Sequence, residues 1–417
     1  MTDKDIYNVN DIINYEIQVN QTVKDAHAND VVITDILDQN LNIDIDGISI
    51  EGTEKENYTV EKIDNGIVIR FKQISDKEIT IKYQVLLQDN TLAGKEITSK
   101  ATMTSINNTD IKTADKTSKI LMPIFQLSKK SDKDFYNIDD TIHYTVKAKQ
   151  IIDHAKAFNV VIDDSHLNDG LTIDEDSIAI QGLAENEYSI DHKNNGYIMF
   201  HEGAVTNEDI IIEYDVKVED PLLAGQKVEH EVYLSCSNNP DVKTWKDDVE
   251  ETILKPEYQI SKTVNKEKCQ VGDILEYTIN VKQMTENAKT SDIVLEDIAE
   301  GVQINLNSIV VEGINQSLYT IVETEKGFKI VIKDENFNSC KIIYNGSSQN
   351  VSEAVNSATV SSMYALPQSS KVKTSIQEIV PTGDHEIGVI YIGALFISAI
   401  YIFVKKRNDF QLGKSKK

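Results

Sequence analysis

Apolar and polar residues alternate with a period of two along most of this chain. Ile79, Ile81, Tyr83 and Val85 are separated by Thr80, Lys82 and Gln84, and Tyr277, Ile279 and Val281 by Thr278 and Asn280. Such alternation sends successive side chains to opposite faces of a strand, so each run predicts a half-buried β-strand. The runs are rich in Val, Ile, Thr and Tyr, which suit a pleated surface. Asp64-Asn65-Gly66, Asn194-Asn195-Gly196 and Lys326-Gly327 separate paired runs. Asn and Gly tolerate the positive φ of tight hairpin turns, so these segments predict hairpins. Before the C-terminal tail no stretch carries a helical period.

The runs recur three times in one order. Tyr15, Tyr144 and Tyr277 anchor a first block, Asp35, Asp164 and Asp297 a second, and Tyr83, Tyr214 and Tyr344 a later one. Ordered recurrence predicts tandem copies of a single module. Many short strands with frequent turns predict that each copy is an immunoglobulin-like β-sandwich, so the fold class is all-β. Ile120-Leu121-Met122-Pro123 and Ile253-Leu254-Lys255-Pro256 are matching linkers, whose prolines end one strand and stiffen the passage to the next. The expected organisation is one repeat over 1–122, a second over 123–255, a third over 256–376 and a separate tail over 377–417. For a chain of 417 residues, three domains is also what length suggests. Thr2-Asp3-Lys4 matches Ser131-Asp132-Lys133, so the first repeat is expected to lack its opening strand. With no apolar leader in sight either, an incomplete start is expected.

Composition narrows the function. A formal charge of −26 offers no basic surface to displace counterions from nucleic acid, and mainly keeps the protein solvated. Residues 42–47 open like a calcium loop, but Thr53 stands where the closing glutamate belongs. Cys236, Cys269 and Cys340 are scattered, without the spacing of a zinc site or a disulfide framework. The histidines, His143, His192 and His201 among them, form no Ser-His-Asp or HExxH arrangement. Trp245 reads as a packing residue. Neither a metal, a cofactor nor an enzymatic activity is expected.

The tail is different in kind. Residues 387–404 form an uncharged apolar run followed by Lys405-Lys406-Arg407, long enough for a single membrane-spanning helix with its basic end in the cytoplasm. Just upstream lie Ile379, Val380, Pro381, Thr382 and Gly383. Pentapeptide, apolar span and basic finish together resemble a cell-wall sorting signal, with valine in the second place of the usual Leu-Pro-x-Thr-Gly pattern. The resemblance implies that a sortase attacks the Thr382 carbonyl and releases Gly383 onward. The acyl group would then pass to an amine of a peptidoglycan precursor or of a pilin lysine. The helix would hold the substrate at the membrane until cleavage.

The repeats are similar to the isopeptide-forming and related repeat domains of Gram-positive surface and fimbrial proteins. That resemblance implies a first-strand lysine joined to a last-strand asparagine with help from a buried carboxyl. In the third copy Lys262, Asp297 and Asn356 fit those roles. The second keeps Lys129 and Asp164 but has His230 for the asparagine; the first has Asp35 and Ser99 and no lysine strand. At most one cross-link is therefore expected. The plainer alternatives are an edge-strand lysine with its head in water, a turn-capping aspartate and a strand-end asparagine. The function expected is an extracellular structural stalk or fimbrial-type surface protein anchored to the cell wall. Its rival is an adhesin for a host protein or glycan. No Tyr-Pro-Lys pilin motif is present.

Overall fold

A computed structural model describes residues 1–38, 41–193 and 195–377. The pentapeptide 379–383, the apolar run 387–404 and the basic tail lie outside the described residues. What is described is all-β, with short single-turn helices between strands.

In the second repeat one sheet runs in the order Phe125–Ser131, Thr141–Gln150, Asp209–Val218, Leu171–Gln181. The other runs Phe135–Tyr136, Trp245–Ile253, Lys227–Ser235, Ala157–Asp164, Gly196–Val205, Tyr188–Lys193. Alternation in the sequence becomes alternation in burial: Ile210, Ile212, Tyr214, Val216 and Val218 turn inward from a single strand. They meet Val160, Ile162, Val232 and Leu234 from the facing sheet in one core. Two inner faces packed together make a β-sandwich.

The third repeat repeats the plan. Tyr258–Val264, Ile274–Gln283 and Ser339–Ser348 lead one sheet, and Gln368–Gln377, Glu353–Ser361, Ile293–Glu300 and Gly327–Ile332 lie side by side in the other. In the first repeat Ile12–Val19 pairs with Ile79–Leu86, and Asn108–Ile120, Glu96–Ser105, Ala28–Leu37 and Gly66–Ile74 form the facing layer. No strand there corresponds to Phe125–Ser131 or Tyr258–Val264 among the described residues. Each repeat has its own buried cluster.

Hairpin glycines bear on the centre of each sandwich. A Cβ on Gly66, Gly196 or Gly327 would fall within 2.0 Å of the backbone oxygen of Asp35, Asp164 or Asp297, respectively. Only glycine lets the following strand close against the aspartate at this point.

Successive repeats are also held in one recurring way. Asn8 donates from Nδ2 to the His154 carbonyl (3.1 Å) and accepts from the Lys156 N–H (2.9 Å). Asn137 does the same with the Asn287 carbonyl (3.2 Å) and the Lys289 N–H (2.7 Å). The Lys289 ammonium adds a 2.5 Å contact to Asp140. A side-chain amide that satisfies one backbone donor and one acceptor fixes orientation as well as distance.

Candidate functional site

The three aspartates sit at the centres of their sandwiches, each fully buried. Asp297 lies within the strand Ile293–Glu300, not at its end, because pairing continues to Ile298 on one side and to Glu300 on the other. The chain leaves the sheet only at Gly301, whose φ of 76° needs glycine. A turn-capping role is therefore overturned. Asn356 belongs to Glu353–Ser361, the next-to-last strand of the repeat, since Gln368–Gln377 follows and pairs with it. This corrects the expected last-strand asparagine.

Lys262 stands on an edge strand, yet its side chain points inward. Within Tyr258–Val264, alternation turns it to the same face as Tyr258 and Ile260. Its ammonium donates to the Asp297 carboxylate in a short contact and to the Tyr344 hydroxyl at 2.6 Å. Asn356 Nδ2 donates to that same hydroxyl at 2.9 Å. Lysine and asparagine therefore meet on one oxygen, beside one carboxylate, in a site closed to water. Tyr277 and Tyr344 stack at 5.3 Å, and the ammonium lies 5.3 and 5.1 Å from their ring centres.

Burial dominates the electrostatics. It pulls Lys262 down to about 8, against the pull of Asp297 in the opposite direction. It also lifts Asp297 above the usual carboxylate range although Lys262 opposes the rise. Both shifts favour a neutral amine next to a neutral carboxyl, the form in which lysine is a nucleophile. The orphans agree: Asp297 Oδ1 and Asn356 Oδ1 are buried acceptors with no donor. A proton on the carboxyl would let it hydrogen-bond the amide oxygen and so polarise the carbonyl carbon.

In the second repeat the lysine and carboxylate persist and the electrophile does not. Lys129 Nζ lies 2.5 Å from Asp164 Oδ1 and 2.7 Å from the Tyr214 hydroxyl. Tyr214 and Tyr197 donate to Asp164 Oδ2 at 2.7 and 3.2 Å. His230 fills the asparagine's place, with Nε2 3.0 Å from Asp164 Oδ1. Burial pushes Asp164 up, but Lys129 and His230 outweigh it and hold the carboxyl well below its usual range. Here the carboxylate stays ionised, and imidazole offers no carbonyl to attack.

The first repeat has neither partner. Asp35 accepts from Tyr83 in a short contact and from Ser99 Oγ at 2.8 Å. Burial raises its pKa, opposed only in part by these hydrogen bonds. A raised folded-state pKa means that stability is fully present below the unfolded value and is lost as pH rises through the folded one. Asp35→Asn keeps the shape and removes the ionisation. It should stabilise the first repeat at pH 7 and flatten its acid-side stability profile. Denaturant melts at pH 4 to 8, read by hydrogen exchange in this repeat, would show a persisting slope if the idea is wrong.

Sequence reasoning placed the lysine, aspartate and asparagine but assigned no role to the tyrosines. Tyr83, Tyr214 and Tyr344 each touch the central carboxylate's network, and their strict register with the aspartates was the available signal. Glu251, which accepts from the Tyr144 hydroxyl at 3.1 Å, was also missed. It falls in a polar run with nothing to mark it as buried. Trp245 packs edge-on against Phe125 at 5.3 Å, as a packing residue should.

No family model matches the chain, and no curated protein matches it. Similar solved structures include the C-terminal domain of the Streptococcus agalactiae AgI/II polypeptide BspA, at 14% identity over 60% of this chain and 100% of that one, with a TM-score of 0.38. The C-terminal domain of the Streptococcus pyogenes antigen I/II-family protein AspA gives 13% identity over 60% and 99%, with a TM-score of 0.34. The S. aureus collagen adhesin gives 12% over 59% and 91%, with a TM-score of 0.21.

Proposed function

We propose that this chain is an extracellular structural stalk of fimbrial type, anchored to the cell wall by a sortase and stiffened by a Lys262–Asn356 isopeptide bond. The observation that carries the reading is the closed cluster of Lys262, Asp297, Tyr344 and Asn356. A lone buried lysine and aspartate would be a poor source of stability. Placed against an asparagine amide, the same pair has a chemical use.

The step balances without a co-reactant. Asp297 takes a proton from the Lys262 ammonium, and the free amine attacks Asn356 Cγ. The carboxyl passes that proton to Nδ2 and takes the second proton from Nζ, the C–N bond to Nδ2 breaks, and ammonia leaves with Asp297 protonated. The new amide joins Nζ to Cγ. Wall attachment would be the sortase's work at Thr382, with Ile379, Val380, Pro381 and Gly383 completing the recognised segment and a wall-precursor amine or pilin lysine as acceptor. The repeated Asn8 and Asn137 contacts support a load-bearing series over loosely tethered beads.

Intact-mass spectrometry tests the reading. The chain should weigh about 17 Da less than its sequence mass, the ammonia lost when a lysine nucleophile displaces an amide nitrogen. Asn356→Ala and Lys262→Ala should each remove the deficit, and Asp297→Ala should leave it unformed. A full mass in the unsubstituted protein would eliminate the cross-link. Incubation with housekeeping and pilus-class sortases should release a fragment beginning at Gly383; no cut by either would remove the anchoring half.

A further inference from the structure

Tyr344 touches both nitrogens that would change places in the third sandwich. Lys262 Nζ donates to its hydroxyl oxygen at 2.6 Å, and Asn356 Nδ2 does so at 2.9 Å. The hydroxyl's own proton goes to Asp297, whose charged form that hydrogen bond favours. Equivalent donations run from Tyr214 to Asp164 Oδ2 at 2.7 Å and from Tyr83 to Asp35. One oxygen thus connects the carboxyl, the attacking amine and the departing nitrogen, with all four side chains buried. The ring itself is clamped. Tyr277 stacks on it at 5.3 Å, and Phe328 meets it edge-on at 5.0 Å.

We propose that Tyr344 is a catalytic residue of the cross-linking reaction, the relay that carries a proton from Asp297 to the departing Nδ2 of Asn356. The inference rests on the isopeptide reading above. In the resting site the amide nitrogen can only donate, because its lone pair is shared with the carbonyl. Once Nζ has added to Cγ, the carbon is tetrahedral and that lone pair is freed. The 2.9 Å contact then reverses its sense. Tyr344 gives its proton to Nδ2 and takes the one that Asp297 holds. The Cγ–Nδ2 bond breaks, ammonia leaves, and the Asp297 carboxylate receives the second proton of Nζ. One C–N bond has formed and one has broken, and Tyr344 is again a phenol.

The other sandwiches show what the hydroxyl does without a leaving group. Tyr214 lies 2.7 Å from Lys129 Nζ and holds Asp164, but His230 stands where the amide would be. Tyr83 meets Asp35 with Ser99 in that place. The bond to the aspartate is common to all three copies, and only Tyr344 adds an amide nitrogen to it. Burial and the nearby Asp297 charge also push the Tyr344 hydroxyl far above its ordinary value. A group so reluctant to ionise passes a proton on only as it receives another.

The test is a refolding time course of the full chain, recovered unfolded in denaturant so that the reacting groups start apart. Dilution begins the reaction, and mass spectrometry of quenched samples counts the molecules that have lost about 17 Da. Tyr344→Phe keeps the ring and its stack and removes the hydroxyl. It should slow cross-linking by about 10²–10⁴-fold, the usual worth of a placed proton donor, in a third repeat whose hydrogen exchange shows it folded. Tyr277→Phe takes a hydroxyl from the same stack that bonds Asn356 but not Asp297, and should change the rate only a few-fold. A Tyr344→Phe chain that cross-links as fast as the unsubstituted one overturns the relay and leaves the isopeptide standing, the proton then passing straight from Asp297 to Nδ2. Equal slowing by Tyr277→Phe overturns it too, since the loss would be one of packing. No mass loss in the unsubstituted chain removes the relay together with the isopeptide.

Discussion

Asn356→Ala should lower the stability of the third sandwich by about 4–5 kcal/mol, the loop-closure entropy of a covalent tie spanning most of a domain. The loss corresponds to roughly 15–25 °C in melting temperature for a domain of this size. Each sandwich has its own core, so the readout is hydrogen exchange resolved by peptide, not one melting curve. Losing the hydrogen bond to Tyr344 alone would account for only about 1 kcal/mol. A change that small in the third repeat would mean that no covalent tie was there. The place of Asn356 has a further consequence under load. A bond from Lys262 to Asn356 shields the chain between them, but Gln368–Gln377 lies beyond it and is held by non-covalent pairing alone, with Glu353–Ser361 on one side and Lys268–Gln270 on the other. Pulled from its ends, the cross-linked repeat should lengthen by about 70 Å, the contour of the unshielded last hairpin, where the Asn356→Ala variant should unravel completely. Single-molecule force spectroscopy separates the two.

Much of this architecture is legible in the amino-acid order alone. Strand identity follows from the period-two pattern because these strands bury one face each, as Asp209–Val218 does with its alternating Ile, Tyr and Val. The relation of Lys262, Asp297 and Asn356 follows from register against Lys129, Asp164 and His230. Strand ends are harder. Asp297 looks terminal because Glu296 and Asp297 resemble the polar start of a loop, yet a carboxylate that meets a buried lysine can stand inside a strand. Asn356 looks like a last-strand residue because Gln368–Gln377 is polar and Ser-rich, and only its pairing shows it as a strand. The tyrosines escape for a third reason. A repeated tyrosine reads as core packing, and whether its hydroxyl serves a neighbour depends on contacts across sheets that no local pattern encodes.

The three repeats show one inherited carboxylate in three electrical settings. Alone with hydroxyls in the first, it is driven toward protonation. Opposed to lysine and amide in the third, it is poised to trade a proton. Between lysine and imidazole in the second, it is locked as an anion. The sites differ less in the aspartate than in what replaces the asparagine: Ser99, His230 and Asn356 occupy related places and decide whether chemistry is open to the site.

That contrast makes the second repeat the place to weigh a buried ion pair that has no covalent outlet. Asp164→Ala leaves Lys129 buried with the Tyr214 hydroxyl and without the carboxylate it contacts, Glu251 being the remaining acid that acts on it, and should cost about 3–5 kcal/mol at pH 7. The cost should depend on pH in a way a packing defect would not. Lys129 sits at about 8 in the folded protein and near 10.4 when unfolded. Between those values the unfolded chain binds more protons, so stability rises with pH. Without Asp164 to favour the charged form, the folded-state pKa falls further and the rise begins sooner. The deficit of Asp164→Ala relative to the unsubstituted protein should therefore shrink toward pH 10, where an uncharged amine tolerates burial. On the acid side the depressed pKa of Asp164 works the other way: its contribution is present above the unfolded carboxylate value of about 4 and is lost below it. Paired denaturant titrations at pH 4, 7 and 10, read in the second repeat, give the answer. A deficit constant from pH 7 to 10 would show that the loss is one of packing and that Lys129 carries no buried charge.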